Sequence, residues 1–269
     1  MLMIPESPCQ RPTDYIDALA ARGRYHFTVA ELQQASGLSA PAARNALKRL
    51  SARNRIASPA RGFYLVLPPE YRGVGCLPAE QFVPALMERE GSSYYVGLLS
   101  AAQYYGAAHH RPQQFQVMLE KSRRPIACGR VRIAFVVRKR LHDVPTQSFN
   151  SPRGTVRVST PEATVIDLVG YPEHCGGLDQ VATVIAELAE ELDATRLAKV
   201  AETAPLPWAQ RLGYLLDLGG AVEKTQPLQH FVGGRVRDYA LLSPGTKGPT
   251  ERRSPQWKLV INVDMEPEL

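Results

Sequence analysis

Cysteine is scarce in this 269-residue sequence: Cys9, Cys76, Cys128 and Cys175 are scattered along it with no CxxC pair. That spacing excludes a disulfide framework and a cysteine zinc ribbon, and it fits a reducing compartment. Long apolar runs are missing too. None approaches the roughly 20 residues needed to span a bilayer, and the opening MLMIPESPC lacks the charged and apolar regions of a secretory leader. A cytoplasmic location with no membrane partner is expected.

Catalytic signatures are equally sparse. There is no GxSxG, no P-loop lysine motif and no GxGxxG. A nuclease or nucleotidyltransferase would need clustered carboxylates for Mg²⁺, but Gly91-Ser92-Ser93 runs into tyrosines rather than acids. Glu120 and Asp143 are the only acids between 111 and 157, and Glu120 reads as a charge at a strand edge. His109-His110 and His174-Cys175 are adjacent pairs, which rarely point at one ion, and no HxxxH supports them. No catalytic residue, metal site or cofactor is expected.

Negative charge is absent where positive charge gathers. Residues 111–157 hold eleven basic residues, including Lys121, Arg123, Arg124, Arg130, Arg132, Arg138 and Lys139, against two acids. Residues 1–72 hold ten basic against five acidic, whereas 158–204 hold two basic against nine acidic. The net charge of +6 favours an anionic partner without naming it. The 121–140 block is either a binding surface for nucleic acid or a protein, or a solvated sheet face that neutralises the acidic stretch. Alternation places Arg130, Arg132 and Ala134 on one side of a strand, with Val131, Ile133 and Phe135 toward the core.

The first seventy residues carry the clearest pattern. DYIDALAAR (14–22) is a short amphipathic helix that stops at Gly23. Thr28 with Glu31 forms a capping box for VAELQQAS, Gly37 ends that helix, and Ser39 caps the next. In the third helix Ala43, Leu47 and Leu50 make one buried stripe, while Pro41, Arg44, Asn45 and Lys48 lie opposite. Asn54 closes it. Residues 55–57 and 63–66 read as two strands joined by the turn Ser58-Pro59-Ala60-Arg61-Gly62. Three helices followed by a hairpin is the winged helix-turn-helix order.

A helix fits the DNA major groove, where Arg pairs with guanine and Asn with adenine in bidentate fashion. Arg44 and Asn45 have that chemistry, with Pro41 beside them, and Ser39, Lys48, Arg49 and the wing's Arg61 suit phosphates. The competing reading is a protein-interaction winged helix whose basic face is solvated. Because the charges sit on the helix and wing that would dock, DNA binding is favoured.

Pro68, Pro69, Gly73, Gly75 and Pro78 mark a break after the wing. The expected fold is α+β: a winged helix-turn-helix at 1–72, a linking segment at 73–92 with a helix over 79–90, and a larger mixed domain at 93–269. In that domain YYVGLLSAAQYYG predicts a buried helix, and 115–121, 130–139 and 155–160 predict strands. Helices are expected from Pro161, over 178–192, 194–203 and 205–218. A closing strand is expected at 257–264, after a basic loop at 243–255.

LSAAQYYGAAHHRPQQFQVM (99–118), VSTPEATVIDLV (158–169), GGLDQVATVIAELAEELD (176–193), RLGYLLDLGG (211–220) and QWKLVINVD, behind a winged helix, resemble the AbiEi-type antitoxins of abortive-infection toxin-antitoxin systems. These motifs are structural, so their force lies in order and number. The resemblance implies a bacterial phage-defence protein with two partners. Its N-terminal domain would repress its own operon by binding upstream operator DNA, in one copy or several. Its C-terminal domain would counter a cognate nucleotidyltransferase-type toxin, directly or indirectly, as similar proteins are described as acting without a stable complex with the toxin. The alternatives are a ligand-responsive regulator with no toxin partner, marked by a pocket of convergent polar groups, and a nucleic-acid enzyme with a DNA-binding anchor.

Overall fold

The computed structural model describes residues 10–107, 112–249 and 252–265; His109-His110 and Cys9 lie outside them. The chain runs through α1 (Pro12–Ala21), β1 (His26–Thr28), α2 (Val29–Ser36), α3 (Ala40–Ala52), β2 (Ile56–Ala60), β3 (Phe63–Val66) and α4 (Val83–Arg89). Then come β4 (Tyr94–Val96), α5 (Leu98–Ala102), β5 (Phe115–Leu119), β6 (Ile126–Cys128), β7 (Val131–Val137), β8 (Thr146–Ser151) and β9 (Gly154–Ser159). The remainder is α6 (Pro161–Gly170), α7 (Leu178–Leu188), α8 (Ala194–Ala201), α9 (Leu206–Leu218), α10 (Gln226–Arg235) and the short strands β10 (Ala240–Leu241), β11 (Arg253–Ser254) and β12 (Leu259–Val260). The architecture is α+β with an N-terminal winged helix. Among the described residues no helix is long and apolar enough to cross a membrane.

Two compact units interleave along the sequence. Of the described residues, the first takes those up to 92 together with 123–135 and 149–156, and the second takes those within 93–122, 136–148 and from 157 onward. The 73–92 segment, which the sequence suggests as a link, contributes Cys76, Leu77, Phe82, Val83, Leu86 and Met87 to the buried interior.

In the first unit β1, β3 and β2 form an antiparallel sheet, with His26 opposite Leu65 and Ile56 opposite Val66. The helices cover its apolar side, burying Ile16, Leu19, Phe27, Leu32, Leu47 and Leu50 together. β1 escapes a reading of the sequence, because three residues cannot show a period-2 pattern. β2 also runs on through Ser58-Pro59-Ala60, because a register shift between Ala57 and Ala60 lets the proline sit in the strand without a ladder hydrogen bond. The turn therefore shortens to Arg61-Gly62, with Gly62 at φ +70°.

β6 and residues 131–135 of β7 belong to this same unit, Ala127 facing Arg132. Its turn rests on residues 74–75: Arg130 donates its N–H to the Val74 carbonyl at 2.9 Å. Gly129, at φ +54°, lies so close to that carbonyl that a Cβ would collide with it. Arg153 lies over the rings of Tyr25 and Tyr71, 3.8 and 5.4 Å from their centroids.

In the second unit β4 pairs antiparallel with β5, Tyr95 facing Met118, and parallel with β9, Val96 facing Val158. The sequence pattern puts Tyr94–Val96 within a helix, but the apolar run YYV fits a fully buried strand equally well, and Gly97 divides it from α5. α6 is buried from Glu162 to Val169 and starts at Pro161 as the sequence predicts, with Thr160 as its cap. α7 to α10 complete the core, where Ile185, Leu188, Leu197, Leu212 and Leu228 are fully buried. α10 has no clear signature in the sequence, since Gly233 and Gly234 within it weaken its helical pattern. The closing strand reduces to Leu259–Val260, parallel to β10 and antiparallel to β11.

Candidate nucleic-acid interface

The turn between α2 and α3 is set by local chemistry. Thr28 and Glu31 form the expected capping box, with the Thr28 N–H donating to Glu31 Oε2 at 2.7 Å and the Glu31 N–H to Thr28 Oγ1 at 3.3 Å. Gly37 ends α2 at φ +60°, and Ser39 Oγ accepts the Ala42 N–H to start α3. Asn54, at φ +49°, follows the end of α3 in the left-handed conformation that asparagine tolerates.

α3 then divides cleanly. Ala43, Ala46, Leu47 and Leu50 are buried, whereas Ser39, Pro41, Arg44, Asn45, Lys48 and Arg49 are exposed. Arg61 is exposed in the wing turn. All seven residues expected to meet DNA are thus on the surface of the first unit.

Their electrostatics differ from those of Arg24 and Arg55. Arg24 is paired with Glu31, and Arg55 with Asp17. Among the described residues Arg44, Lys48, Arg49 and Arg61 have no carboxylate within ion-pair reach. Arg44 Nε donates to the Ala40 carbonyl, at 3.3 Å. Burial and the Arg24 charge push the His26 imidazole below its ordinary value, so it adds no positive charge at neutral pH.

The seven residues of the second basic block are divided between the two units and between surface and interior. Arg124, Arg130 and Arg132 are exposed on the first unit, and Lys121 and Lys139 on the second. Arg123 is half-buried, paired with Glu90 and stacked over Phe135 at 4.8 Å. Arg138 is not a surface residue. It is 2% exposed, its Nε donates to Asp167 Oδ1 at 2.8 Å, and its guanidinium lies 5.0 Å from the Trp208 ring centre. Sequence reasoning misses Arg89: its Nη2 donates to the Arg61 carbonyl at 3.2 Å, a contact between residues 28 apart.

Among the described residues no group of three or more His, Cys, Asp or Glu is placed to hold a metal. Burial pushes the Cys175 thiol up to about 12, and Glu120 lies 3.3 Å from His142. The second unit also contains a cleft of about 620 Å³. Of its lining cations, Arg140 and Arg235 are paired with Asp143 and Glu202, whereas Arg196 and Lys199 have no carboxylate partner among the described residues.

Residues 14–66 match the family model described as transcriptional regulator, AbiEi antitoxin, and residues 95–218 match the AbiEi antitoxin C-terminal domain. No curated protein matches the chain. The fold is similar to the crystal structure of the RV2827C protein from Mycobacterium tuberculosis, with a TM-score of 0.68 and 17% identity over 94% of each chain.

Proposed function

Since the chain belongs to the AbiEi antitoxin family, with a transcriptional-regulator domain ahead of an antitoxin domain, we propose that it represses its own operon and counters a nucleotidyltransferase-type toxin. α3 enters the major groove, Arg44 and Asn45 meet base edges, and Ser39, Lys48, Arg49 and Arg61 hold phosphates. The observation that carries this reading is the exposed basic and amide face of α3, which has no carboxylate partner among the described residues. Binding of the full chain to DNA upstream of its gene tests it, with Arg44→Ala as the control.

The toxin arm rests on the family match at 95–218. Its toxin-facing cations are exposed, Lys121 and Lys139 on the second unit and, separately, Arg130 and Arg132 on the first; buried Arg138 falls outside that set. The protein acts in the cytoplasm, without a cofactor or a catalytic step of its own. Co-expression with the toxin tests this arm: growth rescue lost on reversing Lys121 with Lys139, or Arg130 with Arg132, supports it, and undiminished rescue in both cases contradicts the role given to these cations.

The cleft in the second unit favours a second reading, a regulator that responds to a small anion held by Arg196 and Lys199. Titration calorimetry with inorganic phosphate and with nucleotides tests it. Saturable binding abolished in Arg196→Ala supports this reading, and no heat with either class of ligand rejects it.

A further inference from the structure

The wing turn opens onto a groove of about 550 Å³ within the first unit. Its walls carry Arg61, Arg89, Arg123 and Arg124, four guanidinium groups, against a single carboxylate, Glu90. Glu90 is already committed, because Arg123 pairs with it. Arg89 is held by the Arg61 carbonyl and by the ring of Phe63, 5.7 Å from its centroid, so one arginine of the groove positions the wing turn that carries another. Arg61 and Arg124 are exposed and have no carboxylate partner among the described residues.

We propose that this groove holds the sugar–phosphate backbone of duplex DNA beside the bases met by α3, extending the interface past the wing onto Arg89 and Arg124. Guanidinium groups are planar forks matched to phosphate oxygens. A groove with four of them, of which only Arg123 is offset by Glu90, keeps the excess positive charge of a phosphate track, and it begins at the wing residue already assigned to phosphate. Arg124 belongs to the basic block that the sequence leaves open between a binding surface and a solvated face, and it faces DNA in this account. The proposal rests on the DNA-binding reading of the winged helix and adds a footprint that the winged helix alone would not make.

Full-length protein is titrated against fluorescent upstream DNA over a range of salt concentrations, and the complex is footprinted with hydroxyl radicals. The variants are Arg124→Ala, Arg124→Lys, the double Arg89→Ala/Arg124→Ala, and Arg44→Ala, each checked for the parent's melting temperature. Each lost phosphate contact should lower the slope of log K against log salt by about 1. The double variant should lose backbone protection on one flank while keeping its sequence preference, and Arg124→Lys should keep the parent slope. Should Arg89→Ala unsettle the wing, Arg124→Ala alone carries the test, since that side chain is exposed. An unchanged slope and footprint in Arg124→Ala, with Arg44→Ala losing specific binding, overturns the groove and leaves the winged-helix reading standing. Loss of flank protection in Arg124→Ala with no effect of Arg44→Ala supports the groove and overturns the recognition helix. No specific binding by the parent overturns both.

Discussion

Arg138 and Asp167 are joined by a fully buried ion pair, Nε to Oδ1 at 2.8 Å, with side chains 3% and 0% exposed. The Tyr95 hydroxyl donates to the other Asp167 oxygen at 2.6 Å, and the remaining Arg138 donors reach the Lys139 and Thr203 carbonyls. Removing one charge strands the other out of water. Arg138→Leu is therefore expected to cost roughly 3–5 kcal/mol, read as a lower urea midpoint. A loss below about 1 kcal/mol, the range of an exposed pair, would show that the site is wet.

Gly213 in α9 lies against the indole of Trp257, which is buried and donates Nε1–H to Asp217 Oδ2 at 2.6 Å. A Cβ at 213 would overlap that ring. Gly213→Ala should lower stability by about 1–3 kcal/mol through overpacking, in spite of alanine's better helix propensity. Chemical denaturation followed by tryptophan fluorescence reads this, and a stabilised variant would contradict the packing.

The capping box gives a pH prediction. Burial alone would raise the Glu31 carboxyl, but hydrogen bonds from Arg24 and Thr28 outweigh it and hold the group below its ordinary value of 4.5. A depressed folded pKa means that the folded state binds this proton less tightly than the unfolded chain does. The stabilisation is complete above the ordinary value and is lost as pH falls through the folded one. Glu31→Gln should accordingly lose less stability than the parent between neutral and acid pH. Thr28→Ala should cost about 1 kcal/mol at neutral pH. Denaturation midpoints across that range decide both, and parallel curves for parent and Glu31→Gln would remove the linkage.

The winged helix is legible in the sequence because its signals are local. Thr28 with Glu31, Gly37, Ser39 and Asn54 each fix a helix end through neighbours a few residues away, and the α3 stripe follows from helical period. What stays hidden depends on distant partners. Alternation cannot reveal that Arg138 sits beside Asp167, nor that Arg89 reaches the wing. β6 has only three residues between Pro125 and Gly129, too few to show a pattern. The interleaving of the two units is a property of long-range contacts, which composition along the chain does not record.

The measurement closest to the central claim is fluorescence anisotropy of the full chain on DNA from upstream of its gene, against scrambled DNA of equal length, for the parent and for Arg44→Ala and Asn45→Ala. The parent is expected to prefer the upstream sequence. Each variant should weaken that specific binding by roughly 1–3 kcal/mol and narrow the preference over scrambled DNA. Equal affinity for both DNAs in the parent, or an unchanged preference in both variants, would contradict α3 as the element that reads the operator.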